Sequence, residues 1–173
     1  MSIRLPMQGV LDVTHTNQGT TSTAGGWAYP FLLPQDTDNV VVKFAPSVTA
    51  GGMSAIFQTS DDGGTTYYDV ARTSIASNSG ATAVSPAGAQ WLSLPVVGGT
   101  QRNVITGSII ATGSLIGYVS AGSAAVASTL TSGQSSGLPI MGLQNRIFLI
   151  STGNATAISS RVQVLVNNQS ATA

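Results

Sequence analysis

The sequence predicts an all-β protein, an antiparallel β-sandwich of the jelly-roll or immunoglobulin-like kind with an extended N-terminal arm. Gly, Ala, Ser and Thr make up nearly half of the 173 residues, while Glu is absent and only one Lys occurs. The long charged residues that favour helices are therefore scarce, whereas Thr, Val and Ile are plentiful. About eight short stretches alternate apolar and polar residues with period two, and glycine-containing turns separate them, which is typical of a sandwich.

Three regions are predicted along the chain. Residues 1–27 form the arm, in which a short strand-like piece at 9–14 precedes a Gly- and Thr-rich run without apolar periodicity. Such a run cannot stabilise itself, so we expect the arm to lie along a neighbouring subunit, with a disordered leader as the alternative. Residues 28–168 form the sandwich and residues 169–173 a polar tail. The first residues lack the apolar core of a signal peptide, and no apolar run reaches the ~20 residues of a membrane span, so we expect no membrane association.

The best-specified element is a hairpin over residues 53–70. Residues 53–59 alternate as a strand with Ala55 and Phe57 on one face. The sequence Ser-Asp-Asp-Gly-Gly at 60–64 supplies glycines for positive φ and side chains that bond their own backbone. Residues 65–70, rich in Thr and Tyr, are the returning strand.

The remaining strands are assigned by the same alternation. Residues 27–33 contain Pro30 and form an edge or linking segment, since proline cannot donate to a central ladder. The other predicted strands are residues 40–44, 90–94, 102–110 and 114–119, with Gly113 as the turn between the last two. A second hairpin is predicted at residues 145–151 and 157–166 around Thr152-Gly153-Asn154, with Val162, Val164 and Val166 on one face.

Two stretches of low complexity interrupt this pattern. Residues 74–88 are rich in Ser, Ala, Gly and Thr and predict a long excursion over the surface, a kind of loop that often binds a partner. Residues 121–137 are similar in composition, and a helix at 123–130 remains an alternative on Ala content.

The side chains that could take part in catalysis or metal binding do not form a catalytic set. The lone His15 has no Cys, Glu or Asp cluster nearby, so we expect an exposed or interface histidine rather than a ligand or base. Ser residues have no base to activate them, and the Gly-Gly pairs do not form a phosphate-binding motif. We therefore expect no enzyme and no cofactor. Asp61, Asp62 and Asp69 could hold calcium, but their spacing is not that of an EF-hand, so a turn role is expected for the adjacent Asp61 and Asp62.

Charge and aromatic residues indicate interfaces. Six basic and six acidic residues give a net charge of zero, and the basic residues are scattered, which argues against nucleic-acid binding. A chain with so little charge is poorly protected against association, so we expect a homo-oligomer, with a trimer favoured. The candidate interface residues are His15, Trp27, Tyr67, Tyr68 and Trp91. Because adjacent strand residues point to opposite faces, one of Tyr67 and Tyr68 is expected in the core and the other outside.

Two segments resemble a known family. Residues 57–70, reading FQTSDDGGTTYYDV, and residues 145–156, reading NRIFLISTGNAT, resemble paired hairpins of β-sandwich structural proteins of tailed bacteriophages. The resemblance covers 26 of the 173 residues. It implies a non-enzymatic virion protein, most concretely a capsid decoration (cement) protein that bridges major coat subunits. The alternatives are a tail, baseplate or fibre module and, from another class, a carbohydrate- or calcium-binding receptor module that uses Tyr68, Trp91 or the Asp61-Asp62 pair.

Overall fold

The computed structural model describes residues 7–17, 26–35, 37–79, 88–96, 118–120, 140 and 142–168, and these contain strands and no helix. The predictions for residues 1–6, 18–25, 80–87, 97–117, 121–139 and 169–173 lie outside them, including the strand at 102–110, the Gly113 turn and the alternative helix. The strands, in chain order, are β1 (Gln8–Asn17), β2 (Gly26–Leu32), β3 (Thr37–Ala45), β4 (Val48–Thr59), β5 (Thr66–Arg72), β6 (Ala76–Ser79), β7 (Gln90–Pro95), β8 (Tyr118–Ser120) and β9 (Gln144–Asn168).

The strands form two antiparallel four-stranded layers that share β9. In the first layer the order is β2, the first half of β9, β4 and β5. In the second layer it is β1, the second half of β9, β3 and β7. Strand β6 pairs with β4, and β8 pairs with β5. The all-β, sandwich-like architecture is therefore as predicted.

One hydrophobic core lies between the layers. Its largest fully buried side chains come from both of them and include Phe44, Phe57, Met53, Ile147 and Leu149. Phe31 of β2 and Phe57 of β4 meet edge to face, with ring centroids 5.8 Å apart. Burial of this apolar surface is the main favourable term in the folding of the chain.

The predicted strands around the first hairpin are confirmed. β3, β4 and β7 cover the strands expected at 40–44, 53–59 and 90–94, and β5 matches the strand expected at 65–70 but begins one residue later. Gly63 and Gly64 at the turn between β4 and β5 have φ values of 74° and 95°, which glycine adopts at little cost. Ala55 and Phe57 share the core face of β4, as the alternation predicts.

The second predicted hairpin is wrong. Residues 144–168 form one continuous strand, so the chain does not reverse at Thr152-Gly153-Asn154. The pairing with β4 instead becomes irregular there, since Gly52 lies opposite Thr152 but Ala50 lies opposite Thr156. A bulge of this kind absorbs extra residues and bends the strand, which directs the second half of β9 into the other layer.

The predicted arm contributes a strand to the fold itself. The strand-like piece expected at 9–14 is β1, and it pairs with β9 of the same chain from Gln8 opposite Val166 to Asn17 opposite Ile158. The expectation that it lies along a neighbouring subunit is therefore wrong for this strand. The predicted boundary at residue 27 falls within β2, which pairs with β9 alone among the described strands, as expected of an edge strand.

Candidate functional site

The turn between β4 and β5 is built around Asp62. One oxygen of its carboxylate accepts hydrogen bonds from the backbone N–H groups of Thr65 at 2.9 Å and Thr66 at 2.8 Å, and from the Ser60 hydroxyl at 2.8 Å. These donors favour the charged form, so the pKa of Asp62 falls to about 2, with the Thr66 backbone bond as the largest cause. The expected turn role of this side chain is confirmed.

The three aspartates considered for calcium have different surroundings. Asp61 and Asp62 are exposed on the turn, whereas Asp69 is fully buried on β5, where its carboxylate accepts a hydrogen bond from the Gln58 amide at 2.5 Å. Across the described ranges, no three or more His, Cys, Asp or Glu side chains are grouped to hold a metal ion.

A buried polar group lies on the face of the first layer that points away from the core. We call Gln58, Tyr67, Asp69, Arg146 and Phe148 the Arg146 cluster. Asp69, Gln58 and Arg146 are in register across β5, β4 and β9. The Gln58 amide donates to Asp69, and its carbonyl oxygen accepts from Arg146 Nε at 2.6 Å. Gln58 thereby connects a buried carboxylate to a buried guanidinium.

Two aromatic rings hold the guanidinium of Arg146 in place. Its central carbon lies 4.0 Å from the ring centroid of Tyr67 and 5.5 Å from that of Phe148. A cation over an aromatic face is attracted by the ring, more strongly where water is excluded. Only 3% of Arg146 and 4% of Tyr67 are exposed, so both contacts form in a largely dry environment.

Burial and the neighbouring groups shift the pKa of the guanidinium groups on this face in opposite directions. Burial lowers the pKa of Arg146, while Tyr67 and Asp69 act in the opposite direction. Burial also lowers the pKa of Arg72, which is opposed by Asp69, and Arg72 Nε donates to Ser54 Oγ at 2.8 Å. Both guanidinium groups remain charged at neutral pH. Arg146 Nη2 is buried without an acceptor among the described residues.

A second aromatic group closes one edge of the sandwich, and we call it the edge cluster: His15 of β1 with Trp27 and Tyr29 of β2. The rings of His15 and Trp27 are stacked at a tilt of 41° with centroids 4.2 Å apart. His15 Nδ1 is hydrogen bonded to the Tyr29 hydroxyl at 2.5 Å. Burial lowers the pKa of His15 and raises that of Tyr29. Because β1 belongs to the second layer and β2 to the first, the cluster connects the two layers.

The outer face of the second layer is exposed and carries Trp91. The indole is 57% exposed, and the Lys43 ammonium lies 5.1 Å from its ring centroid. On the same face, Asp12 of β1 forms a bidentate ion pair with Arg161 of β9, at 2.8 and 2.6 Å, and accepts from the Gln163 amide at 3.0 Å. A ring of this size with an adjacent cation can stack on a planar or sugar ligand or pack against a protein.

The five candidate interface residues occupy four separate places. His15 and Trp27 meet in the edge cluster, Tyr67 belongs to the Arg146 cluster, and Trp91 is exposed on the second layer. Tyr67 is buried and Tyr68 is partly exposed on the opposite face of β5, so the predicted opposite orientation of the pair is confirmed. The buried member, however, lies in the Arg146 cluster and not in the core between the layers. His15 is only 7% exposed within the chain itself, so the expectation of an exposed histidine is wrong. The interface roles of the five stay predictions.

Sequence reasoning did not identify Tyr29, Gln58 or Arg146 as partners in these clusters. Alternation along residues 53–59 puts Gln58 on the face opposite Phe57, which is where it lies, but that face is buried rather than solvated. The sequence did contain one signal, the charged residue Arg146 directly before an apolar run of β9. To identify Gln58 as its partner, one must know that β9 lies beside β4, and the pairing of residues 88 positions apart cannot be read from local patterns.

Comparisons with family models, curated proteins and solved structures find no match to this chain. The described residues also include no helix that is long and apolar enough to cross a membrane. Function is therefore inferred from the residues and their arrangement.

Proposed function

We propose that the chain is a non-enzymatic structural protein of a tailed-phage virion, and specifically a capsid decoration (cement) protein that bridges major coat subunits. The observation that supports this proposal best is the adjacency of the two segments that resemble the phage family. Phe57 pairs with Ile147 and Thr59 with Asn145, and β5 pairs with the other side of β4. The two segments thus form one continuous unit, although the second does not turn back as a hairpin.

The surface also suits a protein that is covered by neighbours. The chain has no net charge, and charged residues make up 7% of it. Large apolar side chains are exposed on the described surface at Met7, Leu32, Trp91 and Leu143. A surface with few charges and exposed anchors is suited to burial in protein interfaces, where aromatic residues carry much of the binding energy.

The proposed partners are the major coat protein and further copies of this chain, which form a trimer. Interfaces of standard size bury about 1,600 Å² in total, and several such contacts would hold a small domain across coat junctions. Light scattering of the purified chain at high concentration tests the oligomer. A mass of three chains is expected, and a monomer at all concentrations would contradict this part of the proposal.

The copy number of the chain in purified virions tests the location. Quantitative mass spectrometry against the major coat protein is expected to give a near-stoichiometric ratio, because a cement protein covers the whole capsid. A ratio of a few copies per hundred coat subunits would favour the tail, baseplate or fibre alternative. Absence from particles would refute the virion proposal.

Single substitutions of exposed side chains test which layer docks. We expect Trp91→Ala to reduce incorporation into particles at least tenfold, because loss of an aromatic anchor commonly costs about 2 kcal/mol or more. Leu32→Ala, on the first layer, is the matched control and should leave incorporation within a factor of about three. The reverse pattern would place the docking surface on β2.

A carbohydrate-binding receptor module is a second candidate, and the exposure of Trp91 favours it. Binding of the wild-type chain to an array of neutral and acidic glycans, abolished by Trp91→Ala, would support this function over the first. Absence of binding across the array, together with incorporation into virions, would exclude it.

A further inference from the structure

The side chains of the edge cluster connect β1 and β2, two strands that belong to different layers. β1 and β2 both pair with β9, the first along its second half and the second along its first half. They are the outer strands of the two layers on the same side. The hydrogen bond between His15 and Tyr29 therefore joins β1 to the opposite layer, whereas the ladder bonds of β1 join it only to its own layer.

The imidazole of His15 has one nitrogen with a partner and one without. Nδ1 is bonded to the Tyr29 hydroxyl, while Nε2 is buried and has no partner among the described residues. In the neutral ring a single N–H must be accommodated. Protonation gives both nitrogens an N–H and adds a full charge, while Nε2 has no acceptor among the described residues, and an unpaired buried charge is strongly disfavoured.

No carboxylate faces the imidazole from the described elements packed around it. From β2 the only titratable group is the Tyr29 hydroxyl, and the residue opposite His15 on β9 is Ser160. Asp12 lies three residues earlier on β1, hence on the opposite face, where it binds Arg161 and Gln163. The sequence between β1 and β2, residues 18–25, contains no ionisable side chain. Among the described residues, the charged imidazole therefore has no counter-ion.

We propose that His15 is an acid-sensitive latch that holds β1 to β2, so that its protonation opens this edge of the sandwich and releases β1 from the second layer. Above the ordinary pKa of histidine the ring is neutral and the latch is closed. Below it, the open form takes up a proton that the closed form accepts only at lower pH, so opening becomes easier as pH falls. The latch does not depend on the proposed virion function.

The test uses the fact that His15 is the only histidine of the chain. The imidazole resonance in NMR spectra of the full chain then reports a single titration, and we expect a pKa clearly below 6.5. In parallel, amide hydrogen exchange is measured at pH 7.5 and pH 5 and corrected for intrinsic rates. Exchange in β1 should accelerate by about tenfold for each pH unit between the closed-state and open-state pKa values, while exchange in β4 stays unchanged.

Two variants separate the latch from other causes. His15→Asn places an amide near the position of Nδ1 and cannot take up a proton, so the acid sensitivity of β1 should disappear. Tyr29→Phe removes the hydroxyl but keeps the ring, so β1 should exchange faster already at pH 7.5. Asp12→Asn removes the other acid-sensitive contact of β1 and should leave the response between pH 7.5 and 5 intact.

Three results would overturn the proposal. The first is a pKa of His15 at or above 6.5 in the wild-type chain, which decides the question even if His15→Asn does not fold. The second is an equal loss of protection in His15→Asn. The third is acceleration in all core strands together, which would indicate global unfolding instead of release of β1.

Discussion

The two halves of β9 belong to one strand yet lie in different surroundings. In the first half both faces are buried: Ile147 and Leu149 face the core, and Arg146 and Phe148 on the other face are also covered. In the second half only the core face is buried, with Val162, Val164 and Val166, while Arg161 on the outer face is exposed. Alternation of polar and apolar residues therefore identifies the face of a half-buried strand, but it cannot show whether a polar residue is solvated or enclosed.

The largest expected difference between the two halves concerns their outward apolar residues. Phe148→Ala should destabilise the chain by about 3–5 kcal/mol, because it removes a fully buried ring and leaves a cavity beside Arg146. Leu165→Ala, at an outward position of the second half, is the control and should cost much less because Leu165 is partly exposed. Urea denaturation measures both, and equal losses would show that the two outer faces are alike.

The hydrogen-bonded side chains of Asp69, Gln58 and Arg146 in the Arg146 cluster provide the next test. Gln58→Leu should cost about 1–3 kcal/mol or more, since it leaves Arg146 Nε and a carboxylate oxygen of Asp69 without their mutual partner in a buried place. Gln163→Leu changes the same residue type on the outer face of the second half, where solvent replaces the lost bond, and should fall within about 0.5 kcal/mol of wild type. Similar values for the two variants would contradict an enclosed network.

Glycines beside each half give a further contrast. A Cβ on Gly142, just before β9, would overlap the backbone oxygen of Ser60, so Gly142→Ala requires the backbone to shift and should cost about 1–3 kcal/mol. Gly9, which lies on β1 beside the second half, would place its Cβ 3.9 Å from Leu165. Gly9→Ala should be neutral or stabilise the chain by up to about 1 kcal/mol. Thermal unfolding of the pair decides the sign.

The smallest effect is expected from the exposed ion pair on the second half. The hydrogen bonds from Arg161 lower the pKa of Asp12 below 3.8, so the folded chain binds fewer protons here than the unfolded chain. The contribution of the pair is therefore present above about pH 3.8 and is lost as pH falls through the lower folded-state pKa. The melting temperature of Asp12→Asn should approach that of wild type at low pH and at high salt. A difference that persists in both conditions would refute this account.

Local sequence was sufficient for the hairpin of β4 and β5, because its turn is determined by nearby residues: two glycines with positive φ and an aspartate that bonds backbone N–H groups three and four residues ahead. It was also sufficient for the valine row of β9. It failed at Thr152-Gly153-Asn154, where Gly and Asn indicate a turn. Pairing with β4 on one side of this segment, and with β1 and β3 beyond it, outweighs that local preference.

The candidate sites show the same difference between what local sequence determines and what strand pairing determines. The sequence identified His15, Trp27 and Tyr67 as residues of interest, but each was considered alone. Their partners come from other strands: Tyr29 lies across the edge of the sandwich from His15, and Arg146 lies two strands from Tyr67. These contacts depend on which strands are neighbours, and that is fixed by the pairing of the whole sheet rather than by any short stretch.

The continuity of β9 also has a mechanical consequence. A force that pulls the C-terminal end of the chain along this strand acts on the hydrogen bonds to β1 and β3 in the second layer, and then on those to β2 and β4 in the first. Because the ladder bonds within each layer lie across the strand, they are loaded together in shear and do not open one at a time. β9 thus passes the load from the second layer to the first, so that each layer resists extension in turn.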